Sequence, residues 1–152
     1  MAYYADIYVI EKHRRKDRAI AFLDHFVPNR NEGADEYLIP QYSDDPLYSF
    51  SRADEVMSFL ESNPTFAQSL YWQNLDEESL NSHGMVFYTK DGCIIFGISR
   101  AVDMDDHTNT VLEDEGLNQM KAYFNTALGY IHYESPPAAS YEKFTAIVKE
   151  LE

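Results

Sequence analysis

Cysteine is almost absent: Cys93 is the only one in 152 residues. An internal disulfide is therefore impossible, as is a structural metal centre built on several thiolates. Such a chain suits a reducing compartment, and a cytoplasmic location is expected. No stretch approaches the roughly 20 apolar residues that span a bilayer. The opening Met1-Ala2-Tyr3-Tyr4-Ala5-Asp6 has no basic segment leading into an apolar one, so no secretory signal is expected. Positive charge is scarce, with 12 Lys and Arg against 26 Asp and Glu and a net charge of −14. A surface this acidic repels phosphate backbones and anionic lipid, which argues against nucleic-acid and membrane partners. The six glycines form neither a P-loop nor a Gly-x-Gly-x-x-Gly turn. A Gly-x-Ser-x-Gly elbow and a His-Glu-x-x-His pair are also missing. No cofactor is expected.

Aromatic residues, by contrast, make up 14% of the chain, and twelve of them are tyrosines. Disordered chains are poor in aromatics, so one folded domain over residues 1–152 is expected. The charge is uneven. Residues 1–30 hold six Lys and Arg and four Asp and Glu, whereas residues 31–152 hold six and 22. The basic run from Lys12 to Arg18 is either an anion site at a helix start or an internal counterweight to the acidic remainder; the second is preferred.

Hydrophobic spacing supplies the elements. Asp6–Ile10 is β-branched and aromatic and predicts a strand; Ala19, Ile20, Leu23, Phe26 and Val27 share a helical face. Tyr37–Ile39 predicts a short strand, which Pro40 confines to a sheet edge. Val56, Phe59 and Leu60 line a second helix after Ser51, and a strand is expected at Ser69–Gln73. Met85–Tyr88 and Cys93–Phe96 flank Asp91-Gly92, a dipeptide suited to a two-residue hairpin turn that would pair Phe87 with Phe96. Both hairpin strands are apolar on both faces, which predicts an interior place in the sheet. An acidic loop is expected from Asp103 to Glu115. Leu117, Met120, Phe124 and Leu128 then predict a helix stopped by Gly129. A strand at Tyr130–Tyr133 and a helix bearing Tyr141, Phe144 and Val148 close the chain. The order β-α-β-α-β-β-β-α-β-α predicts an α+β fold, a mainly antiparallel sheet of about five to six strands packed with about four helices.

Candidate sites are few. Asp103, Asp105 and His107 are the metal candidates, because carboxylates at alternate positions resemble the start of a calcium loop. Thr108 stands where that loop needs glycine and Asp114 where it needs a bidentate glutamate, so a solvated acidic loop is preferred. His132 and Glu134 lie two apart, on one face of a strand, and form a possible acid–base pair. Cys93 is expected to be packed and inert. Tyr42, Tyr71 and Trp72, rimmed by Asp44, Asp45, Asp76 and Glu77, would suit a protein partner rich in Lys or Arg. The expectation is an acidic interaction module of the inhibitor or immunity kind, binding a basic protein, rather than an enzyme. The alternative is a small enzyme, or a small-molecule or metal-binding domain, without a familiar motif. A homodimer through the strand before Pro40 or through the aromatic patch is compatible with either.

Overall fold

The computed structural model describes residues 2–103 and 109–152. The elements run β1 (Ala2–Glu11), α1 (Lys16–Phe26), β2 (Arg30–Glu32), β3 (Tyr37–Ile39), β4 (Tyr48–Phe50), α2 (Ala53–Ser62), β5 (Gln68–Asn74), β6 (Asn81–Tyr88), β7 (Ile94–Asp103), α3 (Val111–Phe124), β8 (Gly129–Tyr133) and α4 (Tyr141–Glu150). Six strands form one antiparallel sheet in the order β2-β5-β6-β7-β1-β8, and β3 and β4 pair separately. This is the expected α+β architecture. Among the described residues, no helix is long and apolar enough to cross a membrane.

Strand alternation divides the core into two layers. Ile7, Val9, Leu70, Trp72, Val86, Phe96 and Ile98 point to the first face of the sheet, where α1, α2 and α3 bring Phe22, Leu23, Leu60, Met120 and Phe124. Tyr8, Ile10, Phe87, Ile95 and Tyr130 point to the second face, where α4 brings Phe144 and Val148. Because β6, β7 and β1 carry apolar side chains on both faces, they occupy the middle of the sheet, as the sequence of the hairpin implied.

The hairpin register differs from expectation by one residue. Phe87 pairs with Ile95 and Val86 with Phe96. The Thr89 N–H donates to the Cys93 carbonyl, leaving a three-residue loop, Lys90-Asp91-Gly92, with Gly92 at φ 89°. A left-handed third residue is the standard way to close such a loop. A one-residue slip reverses every side chain, so Phe96 packs between Phe22 and Phe124 on the first face while Phe87 packs with Tyr8 on the second.

Two helix boundaries also differ. The acidic residues Glu113, Asp114 and Glu115 belong to the first turns of α3 rather than to a loop, where carboxylates complement the helix dipole. That helix ends at Asn125, whose φ of 50° gives the left-handed cap expected of Gly129. Gly129 instead opens β8. β6 begins at Asn81, four residues ahead of the expected Met85.

The basic run is spent largely on the fold. The buried Arg14 guanidinium donates to the carbonyls of Leu60 (3.1 Å), Asn63 (3.0 Å), Phe66 (2.7 Å) and Thr89. It thereby gathers the C-terminal end of α2 and the start of the hairpin loop, adding a charged donor to the Leu60, Asn63 and Thr89 carbonyls, which also accept the Asn63, Phe66 and Gly92 N–H groups. Lys16 pairs with Asp54 at 2.9 Å and Arg18 with Glu11 at 2.8 Å. On β7, Arg100 performs a similar task for α3, donating to the Leu112 carbonyl (2.8 Å), Asn81 Oδ1 (3.0 Å) and Gln119 Oε1 (3.0 Å).

Candidate functional site: the uncovered half of the second sheet face

α4 covers only part of the second face. Cross-strand partners share a face, so the registers place Gln73, His83, Ser99, Asp6 and His132 in one polar row across β5, β6, β7, β1 and β8. The adjacent row is Tyr71, Met85, Gly97, Tyr8 and Tyr130. Tyr4 and Tyr71 keep 39% and 44% of their surface in solvent. Between them lies a hollow of about 360 Å³, floored by Asp6, Met85 and Ser99 and bordered by Tyr4, Tyr71, His83 and Glu134.

Asp6 is the chemical centre of this hollow. It is only 8% exposed. Its Oδ1 accepts from the Ser99 hydroxyl at 2.6 Å and its Oδ2 from the Ser135 N–H at 3.2 Å. Burial pushes the carboxyl above the ordinary aspartate range, against the pull of those two donors; the Glu134 charge adds to the rise and His83 opposes it. Glu134 is held at the rim with φ at 50°. Its N–H donates to the Tyr4 carbonyl (3.1 Å) and its Oε1 accepts from the Tyr4 N–H (3.2 Å). Tyr8 fixes the adjoining segment by donating to the Ser135 carbonyl at 2.6 Å.

The order along the row limits the chemistry. A serine nucleophile needs histidine between itself and the carboxylate. Here Ser99 lies between His83 and Asp6, and its hydroxyl donates to the carboxylate directly. The arrangement orients the serine and leaves acceptor capacity on Asp6, because each carboxylate oxygen can accept about two hydrogen bonds. An acidic floor under aromatic walls is suited to holding a cation.

The residues singled out from the sequence fall in several places. Tyr71 borders this hollow and also a neighbouring one of about 310 Å³, which Tyr42 lines as well. Tyr42 is 85% exposed on left-handed backbone (φ 62°), and Asp44 and Asp45 are exposed just after it. Trp72 is separated from this group. Its neighbour Tyr71 faces the second layer, so Trp72 faces the first, where it is 3% exposed in the core. Asp76 and Glu77 are exposed in the turn between β5 and β6. Of the metal candidates, Asp105 and His107 lie outside the described residues. Asp103 lines a small cavity with Tyr3, Glu113 and Tyr133. Among the described residues, no group of three or more His, Cys, Asp or Glu is placed to hold a metal. His132 packs edge-on to Tyr130, and Glu134 turns away past the strand end toward Tyr4. Cys93 is buried, and burial together with Asp91 pushes its thiol up.

Sequence reasoning did not find Tyr4, Asp6, His83 and Ser99 as a group. The available signal was Asp6 itself, a carboxylate inside a β-branched and aromatic strand. Comparison with protein-family models, with curated proteins and with solved structures gives no match.

Proposed function

We propose that the protein is an acidic interaction module that binds a basic protein partner through the half of the second sheet face left uncovered by α4. The observation that carries this reading is the pairing of half-exposed tyrosines with carboxylates on that surface: Tyr4 and Tyr71 beside Asp6 and Glu134. Tyrosines are favoured at interfaces because they join a large apolar area to a polar tip. Tyr42, its ring in solvent and Asp44 and Asp45 close behind, extends the surface past Tyr71. The net charge of −14 supplies long-range attraction for a basic partner and speeds encounter.

The test is capture of partners from the native lysate by tagged protein at low and at high salt. The reading expects one stoichiometric basic protein, retained at low salt and released at high salt. Capture that salt does not weaken, or no partner at either salt, would overturn it. A second reading, a small-molecule site in the same hollow, is favoured by its volume of about 360 Å³, within the range of ligand pockets. Thermal shift with metabolite mixtures would reveal such a ligand as a rise in Tm.

A further inference from the structure

The hollow at Asp6 has features that a merely acidic surface lacks. Its floor is shielded: Asp6, Met85 and Ser99 are all buried. Its borders are rings, Tyr4 and Tyr71, with Tyr4 held edge-on to His83 at 5.4 Å and Tyr71 edge-on to Phe87 at 5.7 Å. Two carboxylates reach it, Asp6 from the floor and Glu134 from the rim. Each carboxylate has one or both oxygens occupied by fixed donors, so both are oriented before anything binds. Among the described residues, neither a lysine nor an arginine lines this hollow.

We propose that this hollow receives one arginine side chain of the basic partner, its guanidinium on Asp6 and its stem against Tyr4 and Tyr71. The proposal rests on the interaction reading and specifies the partner's anchor. Arginine fits better than lysine for a physical reason. A guanidinium is planar, weakly hydrated and able to stack on aromatic faces, whereas an ammonium is a compact charge that gives up its water reluctantly. A buried floor with ring walls penalises the second more than the first. Asp6 and Glu134 place negative charge at a site where burial first, and the Glu134 charge to a lesser degree, raise the Asp6 carboxyl, so an incoming cation offsets a cost the carboxylate already bears.

Blocked arginine (acetyl-arginine-methylamide) added to the intact protein tests this directly, with blocked citrulline as the neutral counterpart of the same shape and blocked lysine as the alternative cation. Binding is followed by NMR shifts. The expected result is saturable binding of arginine in about the millimolar range, with shifts at Tyr4, Tyr71 and Ser99. Lysine should be weaker, and citrulline weaker by about tenfold or more, since the charge-assisted bond is lost. Asp6→Asn should weaken arginine by about tenfold. Should Asp6→Asn fail to fold, Tyr71→Ala, at a half-exposed position, should still reduce binding. Citrulline or lysine binding as well as arginine, or arginine binding unchanged in both variants, would overturn the proposal. The two readings fail separately. A salt-sensitive partner captured equally by wild type and Asp6→Asn, with no arginine binding, sinks the arginine site alone. Arginine binding as expected with no protein captured sinks the interaction reading alone.

Discussion

Replacing Arg14 with alanine should cost the fold heavily, because its guanidinium is the donor for four carbonyls, those of Leu60, Asn63, Phe66 and Thr89. The Leu60 and Thr89 carbonyls keep backbone donors in the Asn63 and Gly92 N–H groups, so the loss there is of a charge-assisted bond rather than of every partner. A hydrogen bond to a charged group contributes about 1.5–3 kcal/mol. Two buried bonds of that kind, to Leu60 and Thr89, with the lost contact over the Tyr88 ring at 5.2 Å, give roughly 3–6 kcal/mol before any relief. Relief comes from the cation itself: burial disfavours its charge, which pulls the Arg14 pKa down, so removing it recovers part of the desolvation penalty. The net expectation is about 3 kcal/mol, read as a fall in Tm of about 6–12 °C for a chain of this size. Arg14→Lys should fall between wild type and alanine, because one ammonium cannot span a helix end and a hairpin at once. Thermal and urea unfolding followed by circular dichroism measure both. An alanine variant that melts within about 2 °C of wild type would refute the reasoning and leave the end of α2 held by something else.

Three further outcomes follow from the same geometry. Gly92→Ala should destabilise by about 1 kcal/mol through backbone conformation alone, since φ is 89° and an added Cβ would meet only Pro64 at an ordinary 3.6 Å; Gly92→Asn should cost less, because asparagine tolerates left-handed backbone, and urea unfolding of both separates the terms. Asp6 should make stability pH-dependent: with its native carboxyl raised, the folded state binds the proton more tightly, so this group's contribution falls as pH rises from the ordinary aspartate value of 3.8 through the raised native one. Urea unfolding across that acidic window isolates this term as the difference between wild type and Asp6→Asn, with wild type losing stability relative to the variant as pH rises. Finally, Phe96→Ala should cost about 3–5 kcal/mol and show its losses around Phe22 and Phe124, whereas Phe87→Ala should perturb Tyr8 and Tyr71; NMR shift maps of the two variants would overlap if the hairpin register were the expected one.

The contrast between hairpin and hollow explains what a single sequence conveys. The hairpin was legible because its signals are local: Asp91-Gly92 bounded by two apolar runs. Its register was not, because Lys90-Asp91-Gly92 closes a three-residue loop, and the same dipeptide serves two-residue and three-residue turns. Helical faces were legible from spacing, with the start of α3 obscured because its first turns read as acidic loop. Trp72 is a different case. It stands beside Tyr71 in sequence, yet consecutive residues of a strand face opposite layers, so the strand assignment itself separates them. The hollow joins Asp6 on β1, His83 on β6, Ser99 on β7, Tyr71 on β5 and Glu134 beyond β8. Its assembly depends on four successive strand registers and the order β5-β6-β7-β1-β8, none of which local spacing encodes.

If the uncovered half of the second sheet face binds a basic protein, Tyr71→Ala and Trp72→Phe should behave differently toward it. Both residues lie on β5, with Tyr71 at the hollow and Trp72 in the core. Using the captured partner, association is measured for wild type and both variants at low and high salt. Tyr71→Ala should weaken binding by at least about tenfold, that of an interface anchor, while Trp72→Phe should lower Tm and leave affinity within about twofold. Full-strength binding by a folded Tyr71→Ala variant would contradict binding through that face.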